Sequence, residues 1–323
     1  MTMATKPANF QEMLKDAPKN WGRWGANDEL GGLNFLTNEE VLRGVKAVKH
    51  GKVFTLGVPL ARPQGDPLYP SRSQPIRTMA MDKGFYISGR AQAMAGGLEY
   101  ADDIIVMYLQ GTTQYDALGH VWYGDKIYNG YDAKTTIGGL QKCSVQALAE
   151  HGIVGRGVLL DIARLKGKAS LDKGERITLE DIKAAEKKQN TKIEKHDILL
   201  IHTGWLKRFY DGGSAAMFPN GEFNEPGLGY SPELVKWFYD MEIPSLGSDT
   251  IGSEQTFHDE SGTMLVLHMA LLCHQGVVFN EIDWTEDLAN DCAKDGQYTF
   301  LFVGAPLKVV NGAGAPVNPV AIK

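Results

Sequence analysis

Gln110-Gly-Thr-Thr-Gln114-Tyr-Asp116-Ala-Leu-Gly-His120 puts two amides, a carboxylate and an imidazole into one short stretch that follows the apolar run Ile104-Ile-Val-Met-Tyr-Leu109. Residues of these types so close together read as half of a metal site. In an extended strand Gln110, Gln114, Asp116 and His120 share one face, because their separations are even, but Gln110 and Gln114 then stand about 13 Å apart. Metal–ligand bonds are only about 2 Å long. One ion therefore requires a bend near Gly111, or a turn over 110–114 that brings the amides to about 6 Å. Asp116 is the charged anchor of such a set, since a glutamine carbonyl carries no net charge.

His268 and Glu281 supply the other half. Ser261 is expected to cap a helix that sets Met264, Leu267, His268, Leu271 and Leu272 on one buried face. Gly276 ends that helix. The run Val277-Val-Phe-Asn-Glu281 is then a strand with Glu281 at its exit, where a carboxylate can meet the imidazole. Asp116, His268, Glu281 and two amide oxygens form an oxygen-rich set suited to Zn²⁺ or Mn²⁺ rather than to thiophilic ions.

Further out, short apolar runs of strand length alternate with helical patterns. Val53–Pro59, Ile104–Leu109, Val158–Ile162, Ile198–His202 and Val277–Phe279 read as strands, some of them in a buried sheet. Thr37 opens a helix in which Leu42, Val45 and Val48 recur at helical spacing, Thr178-Leu-Glu-Asp181 caps another, and Ser231-Pro232 starts a third. The stretch 211–229 has no periodicity and reads as a long loop. No repeat or linker is visible, so residues 1–323 read as one domain of α/β class in which 1–36 form an amino-terminal arm.

The chain has 323 residues, 43% of them hydrophobic, enough for a large core, and its net charge of −6 is interspersed rather than blocked. That argues against a phosphate-backbone partner, so no nucleic acid is expected. No segment reaches the roughly 18 consecutive apolar residues of a membrane span, and the start lacks a signal-peptide core, so no membrane is expected and a cytoplasmic location is. The cysteines, Cys143, Cys273 and Cys292, are odd in number and widely spaced, which indicates neither a disulfide framework nor a thiolate zinc site. No phosphate loop or G-x-S-x-G nucleophile motif occurs.

The segment resembles the H-x-G-T-H-x-D-x-P-x-H signature of the metal-dependent cyclase-type hydrolase family, whose members include kynurenine formamidases, isatin hydrolase and trans-dienelactone hydrolase. Here the pattern reads Q-x-T-T-Q-x-D-x-x-x-H: Gln110 and Gln114 replace the histidines and Leu118 the proline, while Asp116 and His120 remain. The glutamines resemble the branch of trans-dienelactone hydrolase. Trp24-Gly-Ala-Asn-Asp28-Glu-Leu-Gly-Gly-Leu-Asn34, Gly155–Asp161 and Asp197–Trp205 resemble further family segments, and His268 and Glu281 match its carboxyl-terminal ligands. The resemblance implies a layered β/β/α fold with a mixed sheet core and flanking helices, and a homodimer or homotetramer. It implies a small-molecule substrate, namely a cyclic ester or amide (lactone, imide or lactam) hydrolysed by metal-activated water with His120 as general base.

Each residue also has an ordinary structural role open to it. The glutamines can be hydrogen-bonded amides at a strand end, Asp116 a turn residue, His268 a satisfied core histidine and Glu281 a helix cap. His274 and Asp249 are placed behind the ligands or against the substrate. Trp24 either covers the active site or packs. The alternative functions are an arylformamidase-type amide hydrolase and a catalytically inactive ligand-binding relative. Pocket walls are expected from 211–229, from 79–94 and from the arm, with an apolar or aromatic substrate, and no basic cluster announces a second carboxylate on it.

Overall fold

The computed structural model describes residues 9–323. Its strands are β1 (Val53–Thr55), β2 (Ile76–Met81), β3 (Asp102–Val106), β4 (Gln114–Asp116), β5 (Ile153–Asp161), β6 (Arg176–Ile177), β7 (Ile198–His202), β8 (Gly227–Leu228), β9 (Ser245–Ser248), β10 (Val278–Glu281), β11 (Thr299–Gly304), β12 (Gly314–Pro316) and β13 (Val320–Ile322). A nine-stranded mixed sheet runs in the order β1-β13-β11-β5-β7-β9-β10-β4-β12, with β2-β3 and β6-β8 as separate pairs. The inner strands β5, β7, β9 and β10 pair in parallel. Parallel neighbours need long crossovers, and helices supply them. Leu179–Gln189 lies between β5 and β7, Trp205–Gly212 and Pro232–Met241 between β7 and β9, and the π-helix His268–Gln275 between β9 and β10. Strands covered on both faces need apolar residues at successive positions. Val158–Leu160, Ile198–Leu200 and Val278–Phe279 are accordingly buried without alternation.

Local signals place most of the helices. Thr178 and Asp181 form a reciprocal capping box, and the Ser231 side chain accepts from the Leu234 amide with Pro232 at the first turn. Two expected elements form with apolar residues turned outward, and one expectation fails. The helix Asn38–Lys46 turns Leu42 and Val45 to solvent and packs through Gly44, whose Cα lies so close to the Gly155 backbone that a Cβ would approach to 2.7 Å. Residues 211–229 are not a plain loop: they hold a helical turn at Ser214–Met217, a 3₁₀ turn at Pro219–Gly221 and β8. The apolar run 104–109 is not core either. Among the described residues β3 pairs only with β2, in a ribbon whose Ile76, Ile104, Ile105 and Val106 are all exposed.

The described part of the arm is docked. The Asn20 amide N–H bonds to the His274 carbonyl, its side chain to that of Gln275, and the Trp21 indole to that of Cys273. No helix among the described residues is long and apolar enough to cross a membrane.

Candidate metal centre

Gly111 donates to the Tyr108 carbonyl at 2.9 Å, so the chain bends where an ion would require it and straightens into β4 three residues later. β4 lies antiparallel between β10 and β12, with Glu281 opposite Gln114 and Gly314 opposite Asp116. Paired and alternate residues of a sheet share a face, which puts Gln114, Asp116 and Glu281 on one side and Tyr115 on the other. His268 enters from the π-helix, a rare form of helix that is frequent at functional sites. Its Nε2 is 3.8 Å from Asp116 Oδ2 and 3.5 Å from Glu281 Oε1. One donor atom each from Asp116, His268 and Glu281 falls within 4.8 Å of the others, and all three residues are buried.

Glu254, which the sequence did not single out, completes the arrangement. One of its oxygens accepts from His268 Nδ1 at 2.6 Å and from the His268 amide at 2.7 Å, and the other accepts from the Leu267 amide at 2.7 Å. It therefore does the capping expected of Ser261, whose hydroxyl instead meets His258 and Thr263. Glu254 also fixes the imidazole so that Nε2 points at the carboxylates, as ligating histidines generally require. No local pattern announces such a residue, since it acts across 14 positions from a stretch without periodicity.

Among the described residues, the buried oxygens Asp116 Oδ1, Glu281 Oε1 and Gln114 Oε1 lack hydrogen-bond partners. Unpartnered buried oxygens are costly unless something positive meets them. Burial alone would lower the His268 pKa, yet the neighbouring carboxylates of Asp116, Glu254 and Glu281 push it well up. Glu281 is pushed up to about 7 by burial and by the negative charge of Asp116. This concentration of negative charge fits a divalent cation held by Asp116, His268 and Glu281.

The other predicted residues divide. The Gln114 amide donates to Glu281 Oε2 at 2.7 Å, so it braces a ligand and leaves Oε1 free. No hydrogen bond joins the Gln110 side chain to the trio; it lies against Gly314, where a Cβ would meet its Nε2 at 2.8 Å. His120 Nε2 stands 3.8 Å from Asp116 Oδ1, and its side chain keeps 23% exposure beside the closed trio. Burial lowers its pKa against the opposing pull of Asp116.

Three candidates lie elsewhere. His274 shares the helix of His268 but bonds the Tyr123 hydroxyl at 2.7 Å and meets Trp21 edge-on, so it supports the arm and not the ligands. Asp249 accepts from the Thr203 amide and hydroxyl at the exit of β9. Trp24 packs edge-on against Phe35 with Arg23 over its ring, away from the trio of its own chain.

The model of the putative cyclase family matches residues 54–255. A crystal structure described as a novel cyclase is 34% identical, with a TM-score of 0.85, covering 95% of this chain and 100% of that one. Isatin hydrolase A from Labrenzia aggregata is 19% identical with a TM-score of 0.61 (90% and 98% covered), and that from Ralstonia solanacearum 19% with 0.58 (84% and 91%). No curated protein matches. The fold with its nine-stranded mixed sheet, the matched 54–255 and the 34% identity along nearly the whole length lead to one conclusion: this chain belongs to the cyclase family.

Proposed function

We propose that this protein is a metal-dependent hydrolase that opens a cyclic ester or amide. The observation that carries the reading is the convergence of Asp116, His268 and Glu281, with unpartnered oxygens and an imidazole already locked by Glu254. The shared fold of two isatin hydrolases supports it. The bracing glutamine, Gln114, fits the branch nearest trans-dienelactone hydrolase and favours a lactone, imide or lactam.

A bound divalent ion, Zn²⁺ or Mn²⁺, supplies Lewis acidity, polarising the scissile carbonyl and lowering the pKa of water. Asp116 and Glu281 would supply the anionic hold, and Glu254, by accepting the Nδ1 proton of His268 in a hydrogen bond, leaves Nε2 as the atom that would meet the ion. His120, kept neutral by burial, accepts the proton of the attacking water and returns it to the leaving oxygen or nitrogen. The water oxygen bonds to the acyl carbon, the ring C–O or C–N bond breaks, and the acyl carbon becomes the carboxylate of the opened product.

Two further readings accompany this one. The exposed ribbon supports assembly of the chain into a homodimer or homotetramer. Three free, buried cysteines suit a reducing compartment, so we place the protein in the cytoplasm.

Elemental analysis of the purified protein beside Asp116→Ala and His268→Ala tests the centre. Zinc or manganese present in the parent and absent from both variants is expected, followed by turnover of a lactone, imide or formamide panel. A folded parent that stays empty in excess Zn²⁺ and Mn²⁺ would overturn the assignment.

A further inference from the structure

Arg72 lies beside the segment that carries Asp116, and among the described residues its charge has no carboxylate partner. Its Nη1 donates to the Gln110 carbonyl at 2.6 Å, at the residue that opens the buried segment. The Gln110 side chain in turn lies against Gly314, the register partner of Asp116. The positive charge of Arg72 bears on Asp116, His120 and Glu281 together. Most other arginines here are used up in ion pairs: Arg43 and Arg156 share Asp197, and Arg164 holds Asp161. Among the described residues no carboxylate pairs with Arg72, whose contacts are the Gln110 carbonyl and the Tyr69 ring at 5.6 Å.

A fixed cation beside a divalent site works against metal retention, since like charges repel most where water is scarce. The role that offsets this cost is the binding of an anion. A guanidinium carries five N–H donors in a planar fork that matches a carboxylate, and one donor is spent on Gln110. The half-buried side chain leaves the rest reachable. The Tyr69 ring beside it meets Phe223 edge-on at 4.8 Å, and Phe223 meets the buried Phe218. An acyl compound with an apolar body and a carboxylate suits an aromatic neighbour beside such a fork.

We propose that Arg72 is the receptor for a carboxylate on the substrate, so that the centre selects anionic acyl compounds over neutral ones; this rests on the metal-centre reading above. The sequence showed no basic cluster because a single arginine, folded back from residue 72 onto residue 110, does the work.

The test is calorimetric titration of the zinc-loaded protein, Arg72→Gln and Arg72→Lys with malonate, succinate, glutarate and adipate. Each is compared with the monocarboxylate of the same length, and zinc content is measured in every sample. One carboxylate occupies the metal and the second finds Arg72. At one chain length the dicarboxylate is expected to bind at least about tenfold more tightly than its monocarboxylate. That preference should disappear in Arg72→Gln and persist in part in Arg72→Lys, with zinc content unchanged. A loaded parent with no preference at any length, or a preference that survives in Arg72→Gln, overturns the receptor and leaves the metal centre standing. If Arg72 only holds the Gln110 carbonyl, both ligand classes weaken equally in Arg72→Gln, which also overturns it. A folded parent that takes up no zinc fails the metal-centre reading, and the receptor falls with it.

Discussion

No residue from Ser71 to Leu109 is buried, whereas every residue from Gln110 to Gly119 is, and the two regions meet at a single peptide bond. Their sequences do not announce the difference, for β3 is as rich in β-branched residues as the core strands. What differs is the neighbour. β4 is paired on both sides, to β10 and β12, within a layered sheet, while β3 has only β2. Strand pairing satisfies the backbone but buries nothing by itself, and an isolated two-stranded ribbon is marginal in water. One face of this ribbon carries Ile76, Thr78, Ile104 and Val106, while Arg77 and Asp103 form an ion pair on the other. The buried region is covered by this chain's own elements, whereas among the described residues nothing covers the apolar face of the ribbon.

The largest effect should fall in the buried region. His120→Ala should lower kcat by about 10² to 10⁴ while the metal content stays at the parental level. A variant that loses metal in step with activity would make His120 a ligand instead of a base. Next, Glu254→Gln should weaken metal affinity about 10- to 100-fold, as loss of a hydrogen-bonded partner behind a ligating histidine does. Competition with a chelator of known affinity reads this, and unchanged affinity would demote Glu254 to a helix cap.

On the ribbon, the double substitution Ile104→Asp with Val106→Asp should leave metal content and the thermal unfolding of the core unchanged. It should weaken self-association by about a hundredfold, the scale of placing uncompensated charge in an apolar contact. Sedimentation equilibrium measures it. A parent that sediments as a monomer, or a variant that assembles like the parent, would mean that the ribbon is a free surface.

The smallest effect belongs to the arm, held by charge as well as by burial. Burial would raise Glu242, but hydrogen bonds from Arg23, His196 and Lys195 outweigh it and hold its carboxyl at about 2, below the ordinary 4.5. A depressed carboxyl stabilises the fold above its ordinary pKa and loses that contribution as pH falls towards the lowered one. Glu242→Gln should therefore cost about 1 kcal/mol at neutral pH, allowing for solvent screening. The difference should shrink between pH 4.5 and about 2. A deficit that is constant with pH in denaturant titrations would mean packing, not charge.

The sequence revealed the parts of the site that are local. The bend at Gly111, the strand that follows and the turn of chain at Gly276 all have their causes within a few residues. The trio was legible because a carboxylate at 116 and an imidazole and carboxylate at 268 and 281 are distinctive together. Glu254 and Arg72 were not legible, since each acts across a distance that only the folded sheet closes. The helix start was misread for the same reason: Ser261 is a good local cap, but a remote carboxylate took the position. The strand at 104–106 was legible but its exposure was not, because periodicity reports that a strand has a face, not whether the chain provides anything to cover it.

Glu254 accepts the first amides of the helix and the ring of His268 with one carboxylate. Helix capping and the aim of this imidazole are thus a single event in this protein. The helix cannot fray at that end without releasing the imidazole, and the imidazole cannot turn without uncapping the helix. The centre therefore inherits the rigidity of the backbone, and a substitution anywhere that loosens this one turn reaches the chemistry without touching a ligand.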